Sequence, residues 1–399
     1  MHQKYSSQAD YVAKLDAILQ QAIDAGVPAV SAAIHSSQGV LWESSNGLAD
    51  VQAQRPIGNC DSFGIGSITK VFVAVVILQL VDEKRLQSSD TVGMLLDSQL
   101  YSGIENAADA TVARLLRHEA GIDSWEDEPS WIVEGRGKAI DPARIWKKNE
   151  PFDHIRRPKA KAPDPGQWYY SNTNYTFLGF IIEKITQQSA EAEIRRRIIE
   201  PLGLEHTYLE GFEQSTPGIP PRRYHWATGS FIDDAGISPS FSQIRNDLID
   251  VTGSNLSTEW TAGGIVSSAP DLLRLAIALR DGKLLSAESL LVMKEWRSVS
   301  RPGFEMGHGI FRLKAPHDEN TWLGHFGSVL GFTGALWWQE EGDCAICVLA
   351  NVGTVHSGNV PSSAADIIRK SEFLKVASRL SACSSSSNTR LSHTLITSV

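Results

Sequence analysis

The chain has 399 residues, of which 42% are hydrophobic and 21% charged, and its formal net charge at pH 7 is −9. This composition is ordinary for a globular protein in water, and the length allows either one large two-lobed domain or two smaller ones. The negative charge argues against nucleic acid and anionic membrane surfaces as partners.

The beginning of the chain has helical spacing and lacks the features of a signal peptide. Apolar residues recur at helical intervals from Tyr11 to Ile23. The four cysteines form no disulfide framework, and we therefore expect a cytoplasmic, reducing location. Cys344 and Cys347 have CxxC spacing without a second ligand pair, so we expect buried thiols, no metal and no cofactor.

Short apolar segments predict strands near both ends of the chain. Residues 30–34 and 40–42 are separated by a turn and predict a β-hairpin, followed by a third short strand near 47–51. Two later strands are predicted at 333–339 and 344–350. These strands frame a long segment in which the spacing of apolar residues is mostly helical.

The middle of the chain predicts a helical lobe at about residues 86–300, with helices that include 177–185 and 269–279. A last helix is predicted at 362–380, and the Ser/Thr-rich residues 381–399 are expected to be disordered. The simplest architecture is an α+β fold over residues 1–380. Its antiparallel sheet is built from both termini, and the helical lobe is inserted between them.

The stretch from Gly64 to Lys70 leads into an apolar run over residues 71–81, which predicts a helix buried on nearly all sides. Ser67 and Lys70 are one helical turn apart and share a face. A lysine can take the proton of a serine hydroxyl if burial and nearby positive charge lower its pKa. The alternative is that Ser67 caps the helix and Lys70 points into solvent.

Two further segments carry candidate polar residues. Tyr170 and Asn172 lie two residues apart in a segment predicted to be extended, so they would point to the same side. A tyrosine beside a lysinium would have a lowered pKa and could relay a proton, and an asparagine can bind a substrate amide. They could equally be a packing aromatic and a turn residue.

The segment from Gly324 to Gly334 precedes a predicted strand. Gly327 would allow a ligand to approach the strand edge closely, and the N–H of Ser328 could stabilise an oxyanion. His325 could equally be a structural histidine.

Taken in order, Ser67-Ile-Thr-Lys70, Tyr170-Ser-Asn172 and His325-Phe-Gly327 resemble the motifs of the serine β-lactamase and penicillin-binding-protein superfamily. The resemblance is to its class C-like branch of esterases, D-amino-acid peptidases and fungal transesterases, and it covers roughly residues 10–375. The framing segments also match, and they are Leu115–Gly121, Leu178–Glu183, Pro201–Leu204, Ala262–Ile265, Ala269–Asp271 and Gly331–Gly334.

The resemblance implies a β-lactamase-like catalytic domain in which Ser67 is the acylated nucleophile. Lys70 and Tyr170 would form the base and proton relay. The N–H groups of Ser67 and Ser328 would form the oxyanion hole, and Asn172 would orient the substrate. Many relatives have a lysine where this chain has His325, and that lysine helps to hold a substrate carboxylate. Efficient β-lactam hydrolysis is therefore not implied.

The leading hypothesis is a metal-free serine hydrolase acting on an ester, amide or thioester of a small metabolite. An acyltransferase of secondary metabolism with the same acyl-enzyme is the near alternative, with an acyl-carrier protein as a candidate donor. A catalytically silent scaffold is the alternative from another class. The loops 123–165 and 205–260 would set the substrate, and several aromatic residues in or beside them either line an apolar cleft or belong to the core: Trp125, Trp131, Trp146, Trp168, Tyr224, Trp226 and Trp260.

Overall fold

A computed structural model describes residues 7–156, 161–215, 219–315 and 318–394, with side chains up to residue 384. The helices are α1 (Gln8–Asp24), α2 (Thr69–Asp82), α3 (Val92–Leu95), α4 (Ser98–Tyr101), α5 (Val112–Leu116), α6 (Pro129–Gly135), α7 (Asn172–Thr186), α8 (Ala190–Ile194), α9 (Glu200–Leu202), α10 (Gly229–Asp234), α11 (Trp260–Gly263), α12 (Ala269–Arg280), α13 (Ala287–Met293), α14 (Ala364–Lys370) and α15 (Phe373–Thr394).

The strands are β1 (Ala29–Ser36), β2 (Gly39–Asp50), β3 (Arg55–Pro56), β4 (Phe63–Gly64), β5 (Tyr208–Leu209), β6 (Tyr224–Trp226), β7 (Ser242–Arg245), β8 (Leu248–Asp250), β9 (Ile265–Ser267), β10 (Arg297–Ser298), β11 (Phe304–Met306), β12 (Phe311–Lys314), β13 (Thr321–Val329), β14 (Phe332–Gln339), β15 (Ala345–Ala350) and β16 (Val352–Gly353).

Strands from both ends of the chain form one antiparallel sheet, which has nine strands within the described ranges. Their order is β10-β11-β12-β13-β14-β15-β1-β2-β3. The two ends meet where β1 pairs with β15, with Val30 opposite Ala350 and Ile34 opposite Ile346. This arrangement confirms the predicted α+β architecture with a sheet built from both termini.

Alternate residues of each central strand pack into separate halves of the core, because successive side chains of a strand point to opposite faces. In β15, Ile346 and Val348 pack towards the terminal helices α1, α14 and α15, whereas Cys347 and Leu349 pack towards α2 and α12. Cys344 packs in the same half of the core as Ile346 and Val348. Cys347 packs in the other half, so the two cysteines do not share a site. Burial raises the pKa of both thiols.

Helix α2 is buried on nearly all sides, as its apolar sequence predicts. It lies among α7, α8, α11 and α13 and touches β13. Neither α2 nor any other helix in the described part of the chain has the length and apolarity needed to cross a bilayer. The consequence for the site is that Lys70, in the first turn of α2, is completely shielded from solvent.

Several element boundaries differ from those expected from the sequence. The expected third strand near 47–51 is the end of the long strand β2. The helix expected at 177–185 begins at Asn172, so the Tyr-Ser-Asn motif enters a helix and is not wholly extended. Helix α12 packs on the sheet, so the helical region that is separate from the sheet ends before residue 269.

The end of the chain also differs from the expectation. The single helix expected at 362–380 is divided into α14 and α15, which are separated at Ser371 and Glu372. Helix α15 continues to Thr394, through most of the segment expected to be disordered from 381. Its first half packs on α1 and buries Leu380. Because adding residues to an existing helix is easier than starting a new one, the polar residues after Leu380 continue the same helix. Residues 395–399 lie outside the described part of the chain.

Candidate active site

Ser67 lies in a single 3₁₀ turn, Gly66–Ile68, that leads directly into α2. Gly66 has φ +53°, in the left-handed region that favours glycine. A β-carbon on Gly66 would also lie 2.6 Å from the amide nitrogen of Ser328, so strand β13 approaches the turn closely. The sequence Gly-x-Gly-Ser therefore places Ser67 beside strand β13 of the sheet.

The Lys70 amine is surrounded by three oxygen atoms. Its Nζ lies 3.0 Å from Ser67 Oγ, 2.7 Å from Asn172 Oδ1 and 2.6 Å from the carbonyl oxygen of Ala262. A neutral amine has two hydrogens and one lone pair. When the hydrogens are donated to the amide oxygens of Asn172 and Ala262, which only accept, the lone pair points to the Ser67 hydroxyl.

Burial lowers the pKa of Lys70 from 10.5 to about 7. The carboxylates of Glu126 and Glu259 oppose this shift, and the positive charge of Arg136 supports it. Burial is therefore the main cause of the lowered pKa, and Arg136 is the positive charge that acts in the same direction against the two carboxylates. A lysine with a pKa near neutrality can act as a general base at physiological pH.

Tyr170 is hydrogen-bonded to Ser67 as well. Lys70 Nζ is 5.0 Å from the centre of the Tyr170 ring. The expectation that the lysine lowers the pKa of this tyrosine is wrong, since the loss of hydration at the partly buried phenol raises the pKa of Tyr170 well above its usual range. Tyr170 is therefore a neutral phenol and a hydrogen-bond donor at neutral pH.

Asn172 begins helix α7 and is directed into the protein. Its Oδ1 accepts from Lys70, and its Nδ2 donates to Glu126 Oε2. Both polar ends of the side chain are thus engaged inside the protein, and Asn172 does not line the cavity beside Ser67. The structure thus shows its contacts with Lys70 and Glu126, and the role in orienting the substrate that the resemblance implies stays a prediction.

His325, Gly327 and Ser328 lie within strand β13, although the sequence suggested a segment that precedes a strand. A β-carbon on Gly327 would collide with the carbonyl oxygen of Ile65 and would lie 3.2 Å from the amide nitrogen of Ser67. This close approach brings the backbone of β13 to the amide of the nucleophile. The Ser328 hydroxyl is 2.9 Å from Thr354 Oγ1.

His325 lines the cavity as a neutral imidazole. Its Nδ1–H donates to the carbonyl oxygen of Phe326, and its Nε2 has no partner within the described residues. Burial lowers the pKa of His325 to about 3, assisted by the charge of Lys70. His325 therefore does not replace the positive charge of the lysine that many members of the resembled superfamily have at this position.

A cavity of about 300 Å³ opens beside Ser67. Acidic residues Glu126 and Asp127 line one part of it, and Arg301 supplies a positive charge. Its apolar wall consists of Phe304, Phe311 and Phe326 together with Tyr170. The charged residues Glu126, Asp127 and Arg301 belong to no motif in the sequence that indicates a site.

Most of the aromatic residues expected in the two substrate loops belong to the core and not to the cavity. Trp168 is half-buried beneath Arg301, whose guanidinium carbon is 5.6 Å from the indole centre. The others are buried, and they are Trp125, Trp131, Trp146, Tyr224, Trp226 and Trp260.

The family model described as Beta-lactamase matches residues 15–364 of the chain. A putative penicillin-binding protein PbpX of Bacillus subtilis is 28% identical over 291 residues, which are 73% of this chain and 62% of that protein. The esterase EstB of Burkholderia gladioli is 29% identical over 228 residues, 54% of this chain and 55% of the esterase. The chain thus spans less than two thirds of the length of these relatives.

Solved structures show the same fold. A D-stereospecific amidohydrolase from Streptomyces is 26% identical with a TM-score of 0.74, over 86% of this chain and 94% of that chain. A D-amino acid amidase from Ochrobactrum anthropi has a TM-score of 0.77 and 23% identity, over 95% and 99% of the two chains. With the family match over most of its length, the chain belongs to the β-lactamase family of serine hydrolases.

Proposed function

We propose that the protein is a serine hydrolase that forms an acyl-enzyme on Ser67 and cleaves an ester or amide of a small molecule. One observation carries the proposal. The buried Lys70 amine, with its pKa lowered to about 7, lies 3.0 Å from Ser67 Oγ, while two other oxygens accept its hydrogens. This is the arrangement that a weak serine nucleophile needs.

In the first step, Lys70 takes the proton of the Ser67 hydroxyl while Oγ forms a bond to the substrate carbonyl carbon. The negative charge that develops on the carbonyl oxygen is stabilised by the N–H groups of Ser67 and Ser328, which the contacts of Gly66 and Gly327 bring together. The bond to the leaving group then breaks, and the leaving group takes a proton. The product is an ester on Ser67.

Tyr170 is the proposed donor of that proton. As a neutral phenol hydrogen-bonded to Ser67, it can protonate the leaving group and recover a proton from Lys70. Water then attacks the acyl-enzyme and passes a proton back to the same groups, and Ser67 is regenerated.

The named relatives support ester and amide substrates, since they include an esterase and an amidohydrolase. Because His325 is neutral, we do not extend the proposal to β-lactams. Acyl transfer would use the same first half-reaction, but no contact at the cavity favours an acceptor other than water. The intact Ser67–Lys70 contact argues against a silent scaffold.

The test is intact-mass spectrometry of the protein mixed with p-nitrophenyl butyrate, with Ser67→Ala as the control. We expect a transient acyl adduct on the wild-type protein that decays in water, and no adduct on the variant. An adduct that persists until an alcohol is added would favour the acyltransferase. Absence of an adduct with this ester and with a fluorophosphonate would contradict the proposed function.

A further inference from the structure

A buried arginine is linked to both oxygens that accept hydrogen bonds from the Lys70 amine, those of the Asn172 side chain and the Ala262 carbonyl. We propose that Arg136 is a positioning residue for Lys70: by binding the carboxylates of Glu126 and Glu259, it fixes the two oxygens that accept hydrogen bonds from the amine. The proposal rests on the proposed function, because it assigns Arg136 a role in activating Ser67 through Lys70.

Arg136 follows helix α6 and its side chain is only 1% exposed. Its Nη1 lies 2.8 Å from Glu126 Oε1, and its Nη2 lies 2.6 Å from Glu259 Oε1. The guanidinium carbon lies 4.7 Å from the centre of the Trp131 ring. A guanidinium held by two carboxylates and an aromatic ring has one orientation available to it.

The first connection to Lys70 runs through Glu126. Its Oε1 is bound by Arg136, and its Oε2 accepts from the side-chain amide of Asn172. The other end of that amide, Oδ1, accepts from Lys70 at 2.7 Å. The contact between Arg136 and Glu126 therefore fixes both the position and the orientation of the Asn172 amide.

The second connection runs through Glu259. This residue directly precedes α11, and its backbone carbonyl accepts from the N–H of Ala262 at 2.8 Å. The carbonyl oxygen of Ala262 accepts from Lys70 at 2.6 Å. By holding the Glu259 side chain, Arg136 anchors the short helix that presents this carbonyl.

Arg136 also contributes to the balance of charge around the amine. It partly cancels the two carboxylates, which favour the protonated form of Lys70. Burial acts to raise the pKa of Glu126, but the charge and hydrogen bond of Arg136, together with the charges of His356 and Lys70, lower it further, so the net shift is downward and Glu126 remains charged. Burial raises the pKa of Glu259.

The remaining titratable groups around Lys70 are neutral near pH 7. Burial lowers the pKa of His118 and His325 and raises the pKa of Tyr170 and Tyr175. His356, which lies 3.1 Å from Arg136 Nη1, has its pKa lowered to about 4 by burial. The charges that act on the amine are therefore those of Arg136 and its two carboxylate partners.

The experiment measures the rate of fluorophosphonate labelling of Ser67 between pH 5 and 10 in the full chain. In Arg136→Met we expect the pH at half-maximal rate to rise by roughly one unit, because the carboxylates are left uncompensated. In Glu126→Gln we expect that pH to fall. A role confined to folding would lower the amount of active protein and leave the pH profile unchanged.

Arg197→Met is the matched control. Arg197 is also buried, with 7% of its side chain exposed, and it also binds two carboxylates, those of Glu83 and Glu193. Since these residues are not among the charges that act on Lys70, we expect a loss of stability and the wild-type pH profile.

A folded Arg136→Met protein with the wild-type pH profile would overturn the proposal. If that variant does not fold, the Glu126→Gln variant tests the proposal instead. A pH at half-maximal labelling rate that stays constant or rises in Glu126→Gln would then overturn the proposal. If the wild-type protein is not labelled on Ser67 at all, the proposed function fails. The titration of Lys70 Nζ by NMR in ¹⁵N-lysine-labelled wild-type and Glu126→Gln proteins then still tests the link to Lys70.

Discussion

The imidazole of His118 lies against the phenol ring of Tyr170, with the ring centres 4.2 Å apart and the ring planes inclined by 27°. His118 has φ +58°, an unusual value for a residue with a side chain. Its Nδ1 accepts from the backbone N–H of Ser171, 3.1 Å away, at the start of α7. One side chain thus supports both Tyr170, the proposed proton donor, and the helix that carries Asn172.

We expect His118→Ala to lower the free energy of unfolding by about 2–4 kcal/mol, because it leaves a cavity and a buried N–H without an acceptor. Burial holds the pKa of His118 well below its usual range, so the imidazole accepts this hydrogen bond throughout the physiological pH range. Urea unfolding measures the loss.

His118→Phe separates the two functions of the side chain, since it keeps a ring against Tyr170 and removes the acceptor. We expect its labelling rate by a fluorophosphonate to lie between those of the wild-type and His118→Ala proteins. Equal rates for all three proteins would contradict a supporting role for the stack.

The pKa of Lys70, lowered by burial to about 7, predicts the pH dependence of acylation. Only the neutral amine can take the Ser67 proton, so the acylation rate should rise with pH between about 6 and 8 and then become constant. Stopped-flow measurement with p-nitrophenyl butyrate gives this profile. A rate that falls as pH rises through 7 would exclude Lys70 as the base.

Lys70→Arg keeps a positive charge but removes the titrating amine. We expect it to reduce the acylation rate by roughly 10²–10⁴-fold, the usual contribution of a general base. Far-UV circular dichroism checks that the variant is folded. A folded variant with the wild-type rate would contradict the assignment.

Gly327→Ala should abolish most of the acylation activity, because the added β-carbon collides with the carbonyl oxygen of Ile65 and separates β13 from the nucleophile. Gly334, its cross-strand partner, provides the control. A β-carbon there would meet the flexible ends of Leu349 and Ile68 at 3.0 and 3.1 Å, so Gly334→Ala should keep most activity. Comparable initial rates for the two variants would contradict the inference that activity depends on the close approach of β13 to the backbone at Ser67.

Arg301 should favour substrates that carry a negative charge. Its exposed guanidinium lies at the cavity, where His325 is neutral. We expect Arg301→Ala to reduce kcat/KM for p-nitrophenyl succinate by roughly tenfold at low salt and to leave p-nitrophenyl butyrate nearly unaffected. Equal losses for the two esters would mean that Arg301 stabilises the connection between β10 and β11 and does not bind the substrate.

The sequence predicted the parts of the site that depend on local patterns. The apolar run after Lys70 is sufficient to predict a buried helix, and burial is the main cause of the lowered pKa of that lysine. The strands at both ends were also clear from their alternating or continuous apolar residues. One antiparallel sheet built from both termini was then the simplest architecture for strands at both ends with helices between them.

The charged network around Lys70 could not be predicted because it depends on contacts between distant segments. Arg136 and Glu259 are 123 positions apart, and Glu126 lies in a stretch whose composition gave no secondary structure. The direction of the Tyr170 pKa shift was missed for the same reason. The sequence places a lysine near the ring, but the loss of hydration at the partly buried phenol decides the sign of the pKa shift.

The pairing of β1 with β15 has a consequence for how the chain folds. The backbone N–H of Ala29 donates to Asn351 Oδ1 at 2.7 Å, although the two residues are 322 positions apart. The centre of the sheet therefore closes only after nearly all of the described chain has been synthesised, and such distant pairing is slow. Until then the open edge of β1 can pair with other chains. Ribosome-bound chains that end before residue 345 should therefore depend on chaperones to remain unaggregated.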